Sequence, residues 1–346
     1  MANLYNLLGY FTRFHITIYP TQLRNQATDI DVYAIRYSSQ LVPSVYIVEA
    51  MGKGDSVSEV FRMYGFKSYF RNCDAILVSD RIDALVLDTA KKLGLKAFSL
   101  ARLRELTAND VDWARRKQRP HVPISISDAQ RVLGFLKTIK TLDEQLFWVY
   151  HYLWLENNPY LKLLRLHDLS ERCSKFLKAT REEDAVATSW YLKEIMMLSL
   201  LSCIEIAADC IDLLPTQLND YLADRFYNLG TSKESKMRIK DSIQVLVDTI
   251  RELSQGKIKI PDVEIVPSYL SDLAQTVKLV IENAPFIQTY VLLDEMIYRK
   301  NLQSVSKNIR EVAFGDTQRN SIVKLNASIL KVLHGSSVPS IFNDFV

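Results

Sequence analysis

The chain has 346 residues, 48% of them hydrophobic and 24% charged, the composition of a soluble globular protein of about two domains rather than of a disordered chain. A formal net charge of +3 permits a nucleic-acid partner without demanding one, because a local patch matters more than the sum. The first hundred residues alternate helix and strand signals. "NLYNLLGYFTRF" carries Leu4, Leu7, Leu8 and Phe11 at helical spacing, and "HITIYP" is a short β-branched run stopped by Pro20. "TDIDVYAIRY" alternates apolar and polar residues, as a strand with one buried face does. "SVYIVEAM" is a continuous apolar run, expected of a central strand covered on both faces. A helix over 56–70 follows, opened by a capping box of Ser56 and Glu59. "CDAILVSD" predicts the next buried strand, "RIDALVLDTAKKLG" a helix closed at Gly94, and "LKAFSLA" a last strand. The predicted order is α-β-β-β-α-β-α-β over residues 1–101, an α/β domain built on a mixed sheet.

The texture changes at 102–124, a polar stretch ending in "RRKQRPHVP", expected as a basic, helix-bearing linker. Arg115, Arg116, Lys117 and Arg119, with Trp113 beside them, form a candidate nucleic-acid-binding cluster. The plainer reading is a solvated spacer. Residues 125–346 predict an all-α domain, an irregular bundle punctuated by Asn157–Pro159, Pro215, Gly230 and Pro285. "SQGKIKIPDVEIVPS" is its one extended-looking interruption.

Four cysteines occur without a CxxC pair or a histidine at ligand spacing, which predicts buried free thiols. The N-terminus predicts no signal peptide, and Glu194 and Glu205 bracket an apolar run too short for a bilayer. A cytoplasmic protein without a membrane partner is expected.

Asp31 inside the second strand and Glu49 at the end of the third fall side by side if those strands pair. An ionised carboxylate within an apolar strand is costly unless it is paired or bound to a metal. Glu49 could instead sit at a solvated strand end. Asp29 shares the nominal face of Asp31.

On these residues and this element order, residues 3 to about 101 resemble the restriction-endonuclease-like, PD-(D/E)XK nuclease superfamily. The resemblance matches the family's acidic positions to Asp31 and Glu49 and implies that both hold Mg²⁺ or Mn²⁺ against a scissile phosphate. It implies a nucleic-acid partner, DNA ahead of RNA, and a setting in bacterial or phage defence. The family's lysine, two residues after the acidic one, is here Met51, which can neither carry charge nor donate a hydrogen bond. Lys53 on the same nominal face, or Lys67 on the following helix, could stand in as the catalytic cation. The preferred expectation is a nucleic-acid-binding protein whose catalytic site is degenerate. An active Mg-dependent endonuclease with a displaced lysine and a protein-interaction scaffold are the alternatives. In each, the helical domain is expected to meet a protein partner or regulate access.

Overall fold

The computed structural model describes residues 1–18, 28–51, 57–69, 73–116, 126–154, 156–177, 181–227, 229, 267–302, 316–335, 337–340 and 342. Helix α1 (Ala2–Leu7) ends sooner than the leucine spacing predicts. Gly9 has a positive φ of 87°, which a right-handed helix cannot continue through. The Tyr10 N–H closes the turn on the Tyr5 carbonyl at 2.9 Å, so Phe11 opens a strand instead of extending the helix.

Five strands form one mixed sheet in the order β1 (Phe11–Ile18), β2 (Thr28–Tyr37), β3 (Pro43–Ala50), β4 (Cys73–Ser79), β5 (Lys96–Ser99). The first three are antiparallel, and β3, β4 and β5 run parallel. Parallel neighbours need crossovers, supplied by α2 (Val57–Tyr69) and α3 (Ala84–Lys92). Asp83 caps α3 by accepting from the Val86 N–H at 2.8 Å.

The alternation of β2 and β3 sends alternate residues to two different layers. Val32, Ala34 and Val48 meet Tyr5, Tyr10, Ile76, Val78 and Leu103 on one face. Leu103 belongs to α4 (Leu100–Arg116). The helix expected within the 102–124 stretch is thus present over its first part, and it covers this face together with α1. On the other face Ile35, Ile47 and Leu77 meet Val60, Met63 and Val86 of α2 and α3.

The remainder is helical: α5 (Ile126–Leu142), α6 (Glu144–Leu153), α7 (Pro159–Ser174), α8 (Glu182–Cys210), α9 (Leu218–Tyr227), α10 (Leu270–Glu282), α11 (Ile287–Leu302) and α12 (Asp316–His334). Asp143 and Asn158 cap α6 and α7, and Pro159 starts α7 at a position where no N–H is needed. Most of α8 is buried, including Ile195, Met196, Leu198 and Leu201, which makes it the pillar around which the other helices pack. At about 1.5 Å per residue it is roughly 44 Å long, while the side chains it buries contribute about 1.5–3 kcal/mol each. Most of the expected extended interruption near residue 260 lies outside the described residues. Among the described residues no helix is long and apolar enough to cross a membrane.

The sheet and the helices share one core, in which Phe11, Ile30 and Ile35 cluster with Trp154, Tyr191 and Leu198. Phe11 stacks on Trp154 with ring centroids 6.4 Å apart. At this seam Arg13 of β1 is buried. Its Nη2 meets Glu194 Oε1 at 2.8 Å, its Nη1 meets Glu295 Oε1 at 2.6 Å, and its guanidinium lies over the Phe11 ring. The Tyr150 hydroxyl donates to Glu194 Oε2 at 2.9 Å. Gln288 of α11 donates to the Gly9 carbonyl and accepts the Tyr37 N–H, at 2.9 and 2.7 Å.

Candidate functional site

Pairing of β2 with β3 brings Asp31 and Glu49 together. The register joins Val32 to Val48, so Asp31 and Glu49 occupy the next step, on the face covered by α2. Asp31 Oδ2 accepts the Ala50 N–H at 2.7 Å, which fixes its carboxylate beside the end of β3. Glu49 is 6% exposed, so it is not the solvated strand-end residue of the plainer reading.

Burial pushes the Glu49 carboxyl up to about 8, and the nearby Asp31 adds to the effect. Arg62 works in the opposite direction, while Asp29 and Glu59 raise the value further. Three other acidic groups and the Arg62 guanidinium thus act on Glu49. A carboxylate perturbed by desolvation and by like charges is a mark of a functional site.

Arg62, from the second turn of α2, donates to Glu49 Oε1. Its Nη2 also lies 2.5 Å from Glu59 Oε2, an ion pair whose orientation makes no hydrogen bond. Glu49 Oε2 and Arg62 Nε are buried without a hydrogen-bond partner. A buried carboxylate oxygen without a protein donor is open to a ligand or an ion.

Met51 follows two residues later. Its N–H continues the ladder to the Val78 carbonyl at 2.7 Å, and its side chain packs against the main core. The position where the resemblance calls for lysine is thus filled by an apolar side chain. Lys67 sits in the last turn of α2, and its Nζ donates to the Gly94 carbonyl at 2.6 Å, where it holds the C-terminal end of α3. Lys53 lies outside the described residues, as do Lys117 and Arg119. Arg115 and Arg116 end α4, and Trp113 is 45% exposed one turn before them.

The residue that sequence reasoning missed is Arg62. Its only signal in the sequence is the i,i+3 spacing from Glu59, which reads as a surface helix pair.

The donor set suits a hard divalent cation. Magnesium takes oxygen ligands and is commonly held by one or two carboxylates, with water and phosphate completing the shell. Asp31 and Glu49 supply two such carboxylates, and Glu49 Oε2 is the oxygen left without a partner. Among the described residues no three His, Cys, Asp or Glu side chains are grouped to hold a metal. No family model, curated protein or solved structure matches this chain.

Proposed function

We propose that the sheet domain acts on nucleic acid through a divalent cation held by Asp31 and Glu49, with Arg62 in the cationic role that the resemblance gives to a lysine. The observation that supports this is the buried Glu49 carboxylate, with one oxygen on Arg62 and the other unpartnered, beside an oriented Asp31. When bound, such a cation polarises a phosphoryl oxygen and lowers the pKa of a bound water.

The chain's own contributions are three. The Ala50 N–H orients the Asp31 carboxylate. Glu49, pushed up to about 8 by burial, offers its second oxygen to the cation as it gives up its proton. Arg62, planar and permanently charged, can stabilise negative charge developing on a phosphate. The Glu59 carboxylate steadies Arg62 from within the same helix.

A second reading is favoured by the same pair of residues. If Arg62 is the resident counter-ion of Glu49 and Met51 marks the lost lysine, the domain binds nucleic acid without cutting it.

The two readings separate in one experiment on the full chain. Cleavage of single- and double-stranded DNA and RNA is followed with Mn²⁺ or Mg²⁺, and binding of the same substrates is measured in EDTA. Cleavage that is abolished by Asp31→Ala supports the first reading. Binding without cleavage in any metal supports the second. Neither binding nor cleavage overturns both and leaves the scaffold.

A further inference from the structure

A separate cavity of about 590 Å³ lies in the helical half, between α7, the start of α10 and the end of α12. It falls within the range of about 300–1,000 Å³ usual for small-molecule sites. It is lined by His167, Glu171, Tyr269, Asp272, Lys331 and His334, with serine hydroxyls between them. None of Glu171, Asp272 or Lys331 forms an ion pair among the described residues, although all three face the same space. Charged groups that close on a cavity without closing on each other are available to a ligand.

The aromatic wall is already assembled. The His167 ring lies against Tyr269, with centroids 4.7 Å apart and planes 30° from parallel. Tyr269 is buried, so the imidazole rests on a fixed support. His334 is held by the fully buried Ser170, whose Oγ lies 2.9 Å from Nε2. Burial, and then the nearby His167, push His334 down to about 4, so at neutral pH it is an uncharged hydrogen-bonding group.

We propose that this cavity binds a ribonucleoside, with the base on the His167–Tyr269 wall, the 2′,3′-diol on Glu171 and Asp272, and the 5′ end toward Lys331. The assignment follows from the lining. An imidazole backed by a buried tyrosine ring matches a planar heterocycle. Two carboxylates match a pair of vicinal hydroxyl donors, because ionised carboxylates only accept. A single lysine matches one 5′-phosphate as a point charge. A free aliphatic amino acid would leave the ring wall and one carboxylate unused. An uncharged simple sugar would leave Lys331 unused.

The test is calorimetric titration of the full chain, in EDTA, with adenosine, guanosine, cytidine and uridine, their 5′-monophosphates and their 2′-deoxy analogues. At least one ribonucleoside is expected to bind, with its 2′-deoxy analogue roughly tenfold weaker, the effect of one lost hydrogen bond to a charged group. Glu171→Gln and Asp272→Asn are expected to narrow the preference for ribose over deoxyribose. Lys331→Met is expected to narrow the preference for the monophosphate over the nucleoside, without changing ribose selectivity. All three residues are solvent-accessible, and an unchanged unfolding temperature confirms that each variant is folded. No binding by any of these compounds overturns the proposal. So does binding that all three variants leave unchanged, which would place the ligand elsewhere. Because no metal is present and no cleavage is scored, failure here is distinct from failure of the nuclease-type site.

Discussion

Arg62 reaches Glu49 from a neighbouring helix, so α2 sets a guanidinium beside the end of β3, where the chain runs on into the apolar Met51. The positive charge beside Glu49 is carried by a residue thirteen positions further along the chain, on a different element.

Replacing Arg62 should therefore matter more than replacing Lys67. Arg62→Ala is expected to slow metal-dependent cleavage by about 10²–10³, the effect of losing one preorganised electrostatic group, and Arg62→Lys is expected to slow it less. Lys67→Ala should leave cleavage rates unchanged and cost about 1 kcal/mol of stability at most, because that lysine secures the Gly94 carbonyl. Single-turnover cleavage and urea unfolding measure the two effects. Equal losses from both variants would contradict the role given to Arg62.

The buried ion cluster at the seam makes Arg13 a sensitive position outside the site. Arg13→Met strands Glu194 and Glu295 in the core and is expected to cost about 3–5 kcal/mol. Adding Glu194→Gln and Glu295→Gln to that variant should recover part of the loss. Denaturant midpoints of the single and triple variants check this.

Asp294 predicts a pH dependence. Burial raises its carboxyl from 3.8 to about 7, Asn326 opposes this by donating a hydrogen bond, and Glu295 adds to the rise. The folded chain then holds a proton that the unfolded chain releases, so this group's contribution is full below pH 4 and is lost as pH rises through 7. Asp294→Asn removes that dependence. Its unfolding temperature should exceed that of the wild type at pH 8 and approach it at pH 4. An unchanged difference between the two pH values would refute the assignment.

The four cysteines should be silent in the folded chain. All are buried as free thiols, and burial pushes Cys73 up to about 11 and Cys203 and Cys210 up to about 12. Thiolate is the reactive form, so iodoacetamide labelling should be negligible until denaturant unfolds the protein. Mass spectrometry of labelled native and unfolded samples reads the difference.

Much of the sheet was legible because a strand writes its environment into a two-residue period. "TDIDVYAIRY" and "CDAILVSD" fall on β2 and β4, and Asp31 and Glu49 meet because alternation and antiparallel register together decide it. The start of β1 was hidden, since Phe11 also fits a helical spacing and only the backbone at Gly9 chooses between them. Arg62 was hidden because its partner lies on another element. Glu194 read only as the end of an apolar run, whereas its partner is Arg13, 181 positions away. Local pattern reports which face a residue takes, but a long-range ion pair leaves no mark on either local sequence. The readings at Lys53, Lys117 and Arg119 fall outside the described residues.

Gln288 and Arg13 bear on how this protein can be dissected. A fragment cut after residue 101 would keep every acidic group of the candidate site. It would also lose Glu194, Glu295, Gln288 and Trp154 together, leaving the Arg13 guanidinium without these two carboxylates and an uncovered apolar strand face on β1. Such a fragment is an aggregation hazard rather than a minimal enzyme. The helical half is thus a lifelong chaperone to the sheet, and the two are best inherited, expressed and purified as one piece.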